Sequence, residues 1–399
     1  MRWPSLVLSI LFLTPVFADG LVIKTEQAYP TRATPRWKMY MDPANSSRVW
    51  LLIADNRDQL FLSNDGGESY NAFRDEARRS FDSKTGGEVA AWLDNHAALC
   101  GHDDNLFITY PHGRKVFVKL IGSPANSTET FGKGWEIETD PGIGKRSTLI
   151  ATDDELFVFT RTSRSEAGNL RFFRYDHAGE LLESGFVEKM HRDNIRIGAT
   201  LDADGRPVLV VWSGSNNRAS LRYYRWNGRA FDSPKDALIW DLSDARRCDR
   251  GERTREYALA VSADDTLHVV WTCARRLVVH AHKTMGARGH WKYDELVNHK
   301  TQREYDFNTA LTVHGNEIFA LFSLDENPAG SDIWARRWDP EKRAWDSVKR
   351  LTTSHRASIP NTVWKVNSDA KAIPFSYWEG EEAVFSGRLS LEEAAEAAP

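Results

Sequence analysis

Between Trp92 and Arg114 the chain sets three histidines, His96, His102 and His112, around two apolar, strand-like runs. Histidine titrates near neutrality, at about 6.5 when unperturbed, so it can take or give a proton without a strongly altered environment. His96 opens the first run and His112 closes the second. If the runs are antiparallel neighbours, those two positions fall at the same end of the sheet, and two imidazoles can serve one site. His102, beside Asp103 and Asp104, falls at the opposite end and reads as a surface residue. Arg161 closes the equivalent run one repeat later. Two imidazoles and a guanidinium suit an acidic sugar. β-Elimination at a uronate needs the carboxylate neutralised, a base for the C5 proton and an acid for the departing oxygen. The plainer reading of either histidine is a hydrogen bond to a loop carbonyl.

The elements that must carry these residues are visible as a repeat. An acidic or polar turn opens an apolar run at Asp58, Asp104, Asp154, Asp204, Asp265, Asn316 and Asp369, a spacing close to fifty residues. That period, with strand-like runs and no helical periodicity, predicts an all-β, seven-bladed β-propeller of four-stranded antiparallel blades. Residues 1–18 read as a signal peptide: Arg2 supplies the charge, Leu6 to Phe12 the apolar stretch, and Val16, Phe17 and Ala18 the cleavage site. That stretch is too short to cross a bilayer, which takes about 20 apolar residues. The expectation is a secreted or periplasmic protein with no membrane partner. Residues 19–389 form the single propeller domain, residues 20–47 supply a strand that closes the ring, and residues 390–399 form a flexible tail.

A net charge of -4, from 56 acids against 52 bases, leaves no bulk basic field for nucleic acid. An acidic polymer would need a local basic patch. Arg246, Arg247, Arg250, Arg253 and Arg255, in an insertion over 233–254, form either a solvated loop or a basic lip for such a polymer. The expected partner is an acidic polysaccharide and the expected assembly a monomer.

The three cysteines leave two readings open. Cys248 and Cys273 could pair as a disulfide, with Cys100 a buried thiol. Alternatively, Cys273 ends one strand and the next carries His280 and His282 on one face, so with Cys248 the four could hold a structural zinc. No cofactor is required for the chemistry itself. Ser63 to Tyr70 matches the Asp-box turn, in which Asp65 organises a tight turn, so Asp65 is assigned a structural role. Most of the fifteen tryptophans, Trp212, Trp271 and Trp378 among them, are expected between blades.

At these residues the chain resembles a family. Asp94, Asn95 and His96, followed by a strand ending in His112, resemble the histidine pattern of BNR-repeat seven-bladed propellers, which include ulvan-lyase-like polysaccharide lyases. Phe157 to Arg161, Asn169 to Arg174, Tyr305 with Asp306, and the run from Arg350 to Gly380 are similar to later blades of that family. The resemblance implies a lyase acting on a uronate-containing polysaccharide. It implies His96 and His112 as catalytic residues and Arg161 as a substrate-binding arginine, with Asn95, Lys145, Arg146 and Tyr305 as further substrate contacts. The family places a tyrosine shortly before that arginine, whereas here the neighbourhood reads Gly144, Lys145, Arg146, Ser147. Tyr110 or Tyr175 would have to approach from elsewhere. A glycan-binding propeller without catalysis is therefore a second reading. A sialidase-like hydrolase is a third, disfavoured by a single good Asp box.

Overall fold

The computed structural model describes residues 20–24, 38–54, 58–73, 97–102, 105–112, 114–121, 134–139, 147–162, 169–189, 195–215, 218–234, 237–241, 257–273, 277–287, 290–298, 309–327, 330–380 and 383–392. Strand follows strand almost throughout. After β1 (Gly20–Lys24), blade one holds β2 (Met39–Asp42), β3 (Asn45–Ala54), β4 (Asp58–Ser63) and β5 (Asn71–Ala72). Blade two holds β6 (Ala98–His102), β7 (Asn105–His112), β8 (Lys115–Ile121) and β9 (Gly134–Glu138). Blade three is β10 (Thr148–Ala151), β11 (Glu155–Arg161), β12 (Asn169–Asp176) and β13 (Leu181–Lys189). Blade four has β14 (Ile195–Leu201), β15 (Pro207–Ser215) and β16 (Arg218–Trp226), with β17 (Phe231–Asp232) and β18 (Leu238–Asp241) both pairing with β16. Blade five is β19 (Tyr257–Val261), β20 (Thr266–Cys273), β21 (Leu277–Thr284) and β22 (Lys292–Asn298). Blade six has β23 (Thr309–His314), β24 (Glu317–Asn327) and β25 (Gly330–Asp339), flanked by β26 (Ala344–Trp345) and β27 (Lys349–Arg350). Blade seven runs β28 (Ala357–Thr362), β29 (Ala372–Glu379) and β30 (Ala383–Ser390), with β1 as its outer strand.

The seven sheets form a ring. The innermost strands touch in the order β2, β6, β10, β14, β19, β23, β28 and back to β2. The expected closing strand is β1, whose Leu21 pairs with Phe385 and Ile23 with Val384. Each blade is covered on both faces, which is why its strands read as continuous apolar runs rather than alternating ones. In β20, Leu267, Val269 and Trp271 pack toward blade four against Val208, Val210 and Trp212. Val270, between them, packs toward blade six against Ile318, Ala320 and Phe322. Trp212 and Trp271 are buried in this packing, as expected, and Trp378 is buried in blade seven.

The strand order divides the ring into two ends. Turns joining the first to the second strand of a blade, and the third to the fourth, lie at one end, here the turn end. Turns joining the second strand to the third, and connections between blades, lie at the other, here the connection end. Six of the seven repeat copies open the second strand of their blade. The copy at Asp58 opens the third strand of blade one instead, and the equivalent turn there is Asp42 to Asn45. Leu60 and Phe61 are buried on opposite faces, as in a second strand, so apolar content alone could not separate the two.

Asp65 carries the structural role expected of it. Its Oδ1 accepts from Ser63 Oγ at 2.6 Å and from the backbone N–H groups of Glu68 and Ser69 at 3.0 Å. Arg388 donates to the Asp65 carbonyl at 3.0 Å and pairs with Glu68 at 3.1 Å, fastening the turn to blade seven. The insertion over 233–254 is not wholly loop. Its stretch through β18 completes the interrupted outer edge of blade four, burying Ala237, Ile239 and Trp240. The arginines from Arg246 to Arg255 lie outside the described residues, as do residues 1–18. At the other terminus β30 continues through Ser390, and the Leu391 N–H donates to the Lys371 carbonyl at 3.0 Å. Among the described residues no helix is long and apolar enough to cross a membrane.

Candidate active face and candidate metal centre

His112 ends β7, where it pairs with Lys115 across the turn to β8. Arg161 ends β11 and pairs with Leu170 of β12. Both are the last residues of the second strand in consecutive blades, so both stand at the connection end. The two blades meet there through their innermost strands and through Thr109 Oγ1, 3.5 Å from Ser147 Oγ. Thr109 pairs with Ala98, the first residue of β6, and Ala97, immediately after His96 in the chain, is fully buried. Arg161 is only 3% exposed and is engaged by neighbouring groups. A guanidinium held this way offers a fixed charge, of the kind that favours developing negative charge without reorganisation.

The other candidates divide plainly. His96, Asn95, Lys145, Arg146 and Tyr305 lie outside the described residues, and His112 is described by its backbone position. His102 lies at the turn end with an intermediate exposure, its ring 5.4 Å from that of His177, as expected of a residue away from the site. Tyr175 cannot stand in for the family tyrosine. It pairs with Leu156 at the far end of β12 from Arg161, and burial against Trp135 pushes its phenol up to about 12. Tyr110 is at the correct end of β7 but is buried and stacked on Phe117, within the packing of blades one and two.

A second cluster lies in blade five. His280 and His282 sit two positions apart on β21, where His280 pairs with Asp294 of β22 and His282 with His268 of β20. Period-two alternation therefore brings three imidazoles to one face. They stack within 5.0 to 5.8 Å of one another, against Trp338 of blade six. Burial pushes all three downward, His282 to about 4, so the rings are neutral at pH 7 and able to act as ligands.

The Trp345 indole N–H donates to His280 Nδ1 at 3.1 Å, and an indole has no acceptor to offer. Nδ1 is therefore the accepting nitrogen, which leaves Nε2–H to donate to His268 Nδ1 at 3.0 Å. Asp294 Oδ2, buried and without a hydrogen-bond donor, then faces an accepting nitrogen at 3.4 Å. His282 Nε2 is also 3.4 Å from that oxygen. Metal bonds of about 2.0–2.1 Å in a tetrahedron give ligand-to-ligand edges of about 3.3–3.4 Å, so the two nitrogen-to-oxygen spacings fit zinc, which would take the His280 lone pair that the Trp345 N–H occupies. Among the described residues Asp294 joins His280 and His282, a donor not in the expected set. Cys273 pairs with Leu277, three positions along the register from the Val270–His280 pair and out of step with the histidines. Cys248 lies outside the described residues. Asp294 was missed because only the register of β22 against β21 reveals it. Cys100 is the buried free thiol expected, its acidity weakened by burial.

No protein-family model matches this chain, and no curated protein matches it by sequence. Solved structures do match in fold. A PL25 ulvan lyase superposes with a TM-score of 0.62 at 10% identity, over 97% of this chain and 99% of its own. The same lyase bound to -[GlcA(1-4)Rha3S]- gives equal figures. The polysaccharide lyase Uly1 superposes with a TM-score of 0.53 at 11% identity, over 94% of this chain and 97% of its own. At such identities the likeness establishes the shared seven-bladed propeller.

Proposed function

We propose that this chain is an exported polysaccharide lyase that cleaves a uronate-containing polysaccharide by β-elimination at the connection end of the ring. The observation that carries the reading is the placement of His112 and Arg161 at matching strand ends of adjacent blades, on a fold shared with ulvan lyases. Arg161 neutralises the substrate carboxylate, which lowers the energy of the carbanion formed when C5 loses its proton. His112 orients the same carboxylate. His96 exchanges the protons, taking the one at C5 and returning one to the departing oxygen. Asn95, Lys145, Arg146 and Tyr305 are the proposed flanking contacts for the acidic chain. The new C4–C5 double bond conjugates with the carboxyl group and absorbs in the ultraviolet.

The experiment is incubation of the purified protein with a panel of uronate polymers while that absorbance is followed. A rising signal that disappears in His96→Ala supports the reading. A flat trace across the panel, with binding retained, refutes it in favour of a glycan-binding propeller.

The geometry of His280, His282 and Asp294 supports a structural divalent cation, zinc by its donor set. That ion would tie β21 to β22 and plays no part in the elimination. Metal analysis of the purified protein should find about one equivalent of zinc. A chelator should lower the melting temperature, and Asp294→Asn should abolish that response. Protein free of metal and insensitive to both chelator and added zinc would refute this assignment.

A further inference from the structure

A cleft of about 260 Å³ opens at the turn end between blades five and six, on the face opposite His112 and Arg161. Four turns form its rim: those joining β19 to β20, β21 to β22, β23 to β24 and β25 to β26. Its floor includes His282 and Trp338.

The charge lining this cleft runs against that of the chain. Overall the protein carries a net charge of -4. The cleft presents Lys283, Lys292 and Arg343 against the single carboxylate of Asp264. Asp264 is also partly spoken for, because its Oδ1 accepts from the Ser262 hydroxyl at 2.5 Å and from the Thr266 N–H at 3.3 Å. The three cations come from separate strands and turns. Lys283 is buried, 6% exposed, on the face of β21 opposite His282, while Lys292 and Arg343 stand on the exposed rim. Arg343 holds a left-handed backbone, φ 51°, a conformation that is strained in a residue other than glycine. The rim therefore brings together a guanidinium, a planar fork suited to oxyanions, and the Lys292 ammonium. Thr284, His290 and Asn316 add polar lining and no further anion.

We propose that this cleft is a second binding site, for a single oxyanion group: a sulfate ester, a phosphate or a carboxylate. The site is separate from the elimination site and does not depend on the lyase reading. The volume matches one such group with its attached sugar ring or a few waters rather than a length of polymer. On a sulfated or uronate-bearing glycan it would let one chain be held on the turn end while the connection end stays open.

The test is calorimetric titration of the full protein with sodium sulfate, sodium phosphate and sodium glucuronate, each against sodium chloride at matched ionic strength. At least one of the three should bind saturably, and the strongest identifies the group. Lys292→Ala with Arg343→Ala, both on the exposed rim where folding is not at stake, should weaken that binding at least tenfold. Arg161→Lys should leave the binding of sulfate or phosphate unchanged. The proposal is overturned if none of the three anions binds beyond the chloride control. Binding unaffected by the double rim substitution, or sulfate or phosphate binding lost with Arg161→Lys, overturns it equally. Loss of polymer cleavage with this binding intact would sink only the lyase reading.

Discussion

Replacing Arg225 with methionine should separate blades four and five at the turn end. The guanidinium donates from Nε to Asp202 Oδ2 at 2.6 Å and from Nη2 to Asp265 Oδ2 at 3.0 Å. Asp202 belongs to the turn after β14 and Asp265 to the turn after β19, so one side chain spans two blades. The Asp202 side chain is fully buried, and its Oδ1 also accepts backbone N–H groups of Asp204 and Arg206 at 2.9 and 2.8 Å. Removing the partner of a buried carboxylate costs about 3–5 kcal/mol. Here Arg206 Nε remains 3.1 Å from Asp202, and Arg225 is 22% exposed, so solvent screens part of the pair. The expected loss is about 2–3 kcal/mol, which lowers the melting temperature by roughly 2–4 °C in a single domain of this length. Differential scanning calorimetry on the single variants and on Arg225→Met with Asp265→Asn completes a double-mutant cycle. The cycle should give a coupling of at least about 1 kcal/mol between the two positions. A melting temperature unchanged within experimental error, or no coupling, would refute the assignment of this network as a tie between blades.

Gly67→Ala should destabilise by about 2 kcal/mol, because φ is +92° and a Cβ would stand 2.6 Å from that of Pro374. Gly228→Ala shares the left-handed backbone, φ +95°, but meets nothing within 4 Å, so thermal melts should show a loss of only about 1 kcal/mol. Cys100 is buried and its thiol is held protonated by desolvation, so it should react with a thiol reagent only at the unfolding rate; immediate modification of the native protein would contradict that placement.

What was legible in the sequence follows the physics of each element. Runs such as Thr266 to Trp271 are buried on both faces, so they announced strands strongly, and the turn residues between them announced the blade count. The same two-sided burial erased the difference between a second and a third strand, which is why Asp58 pointed to the wrong turn of blade one. Outer strands were least visible. Those of blades four and six are split into β17 with β18 and β26 with β27, pieces of two to four residues too short for a periodic signal. At the candidate sites, His112 and Arg161 were legible because each ends a long apolar run. His280 and His282 showed their shared face by alternation alone. Asp294 and His268 did not, because each belongs to a different strand and is brought in only by register.

The central claim is that the connection end recognises and ionises a uronate through its carboxylate. The direct measurement is the initial rate of double-bond formation on a cleaved uronate polymer, compared with the same polymer after chemical reduction of its carboxyl groups to alcohols. The account predicts turnover of the acidic polymer, loss of that turnover in Arg161→Met, and none on the reduced polymer. Equal rates on the two polymers, or full activity in Arg161→Met, would contradict it.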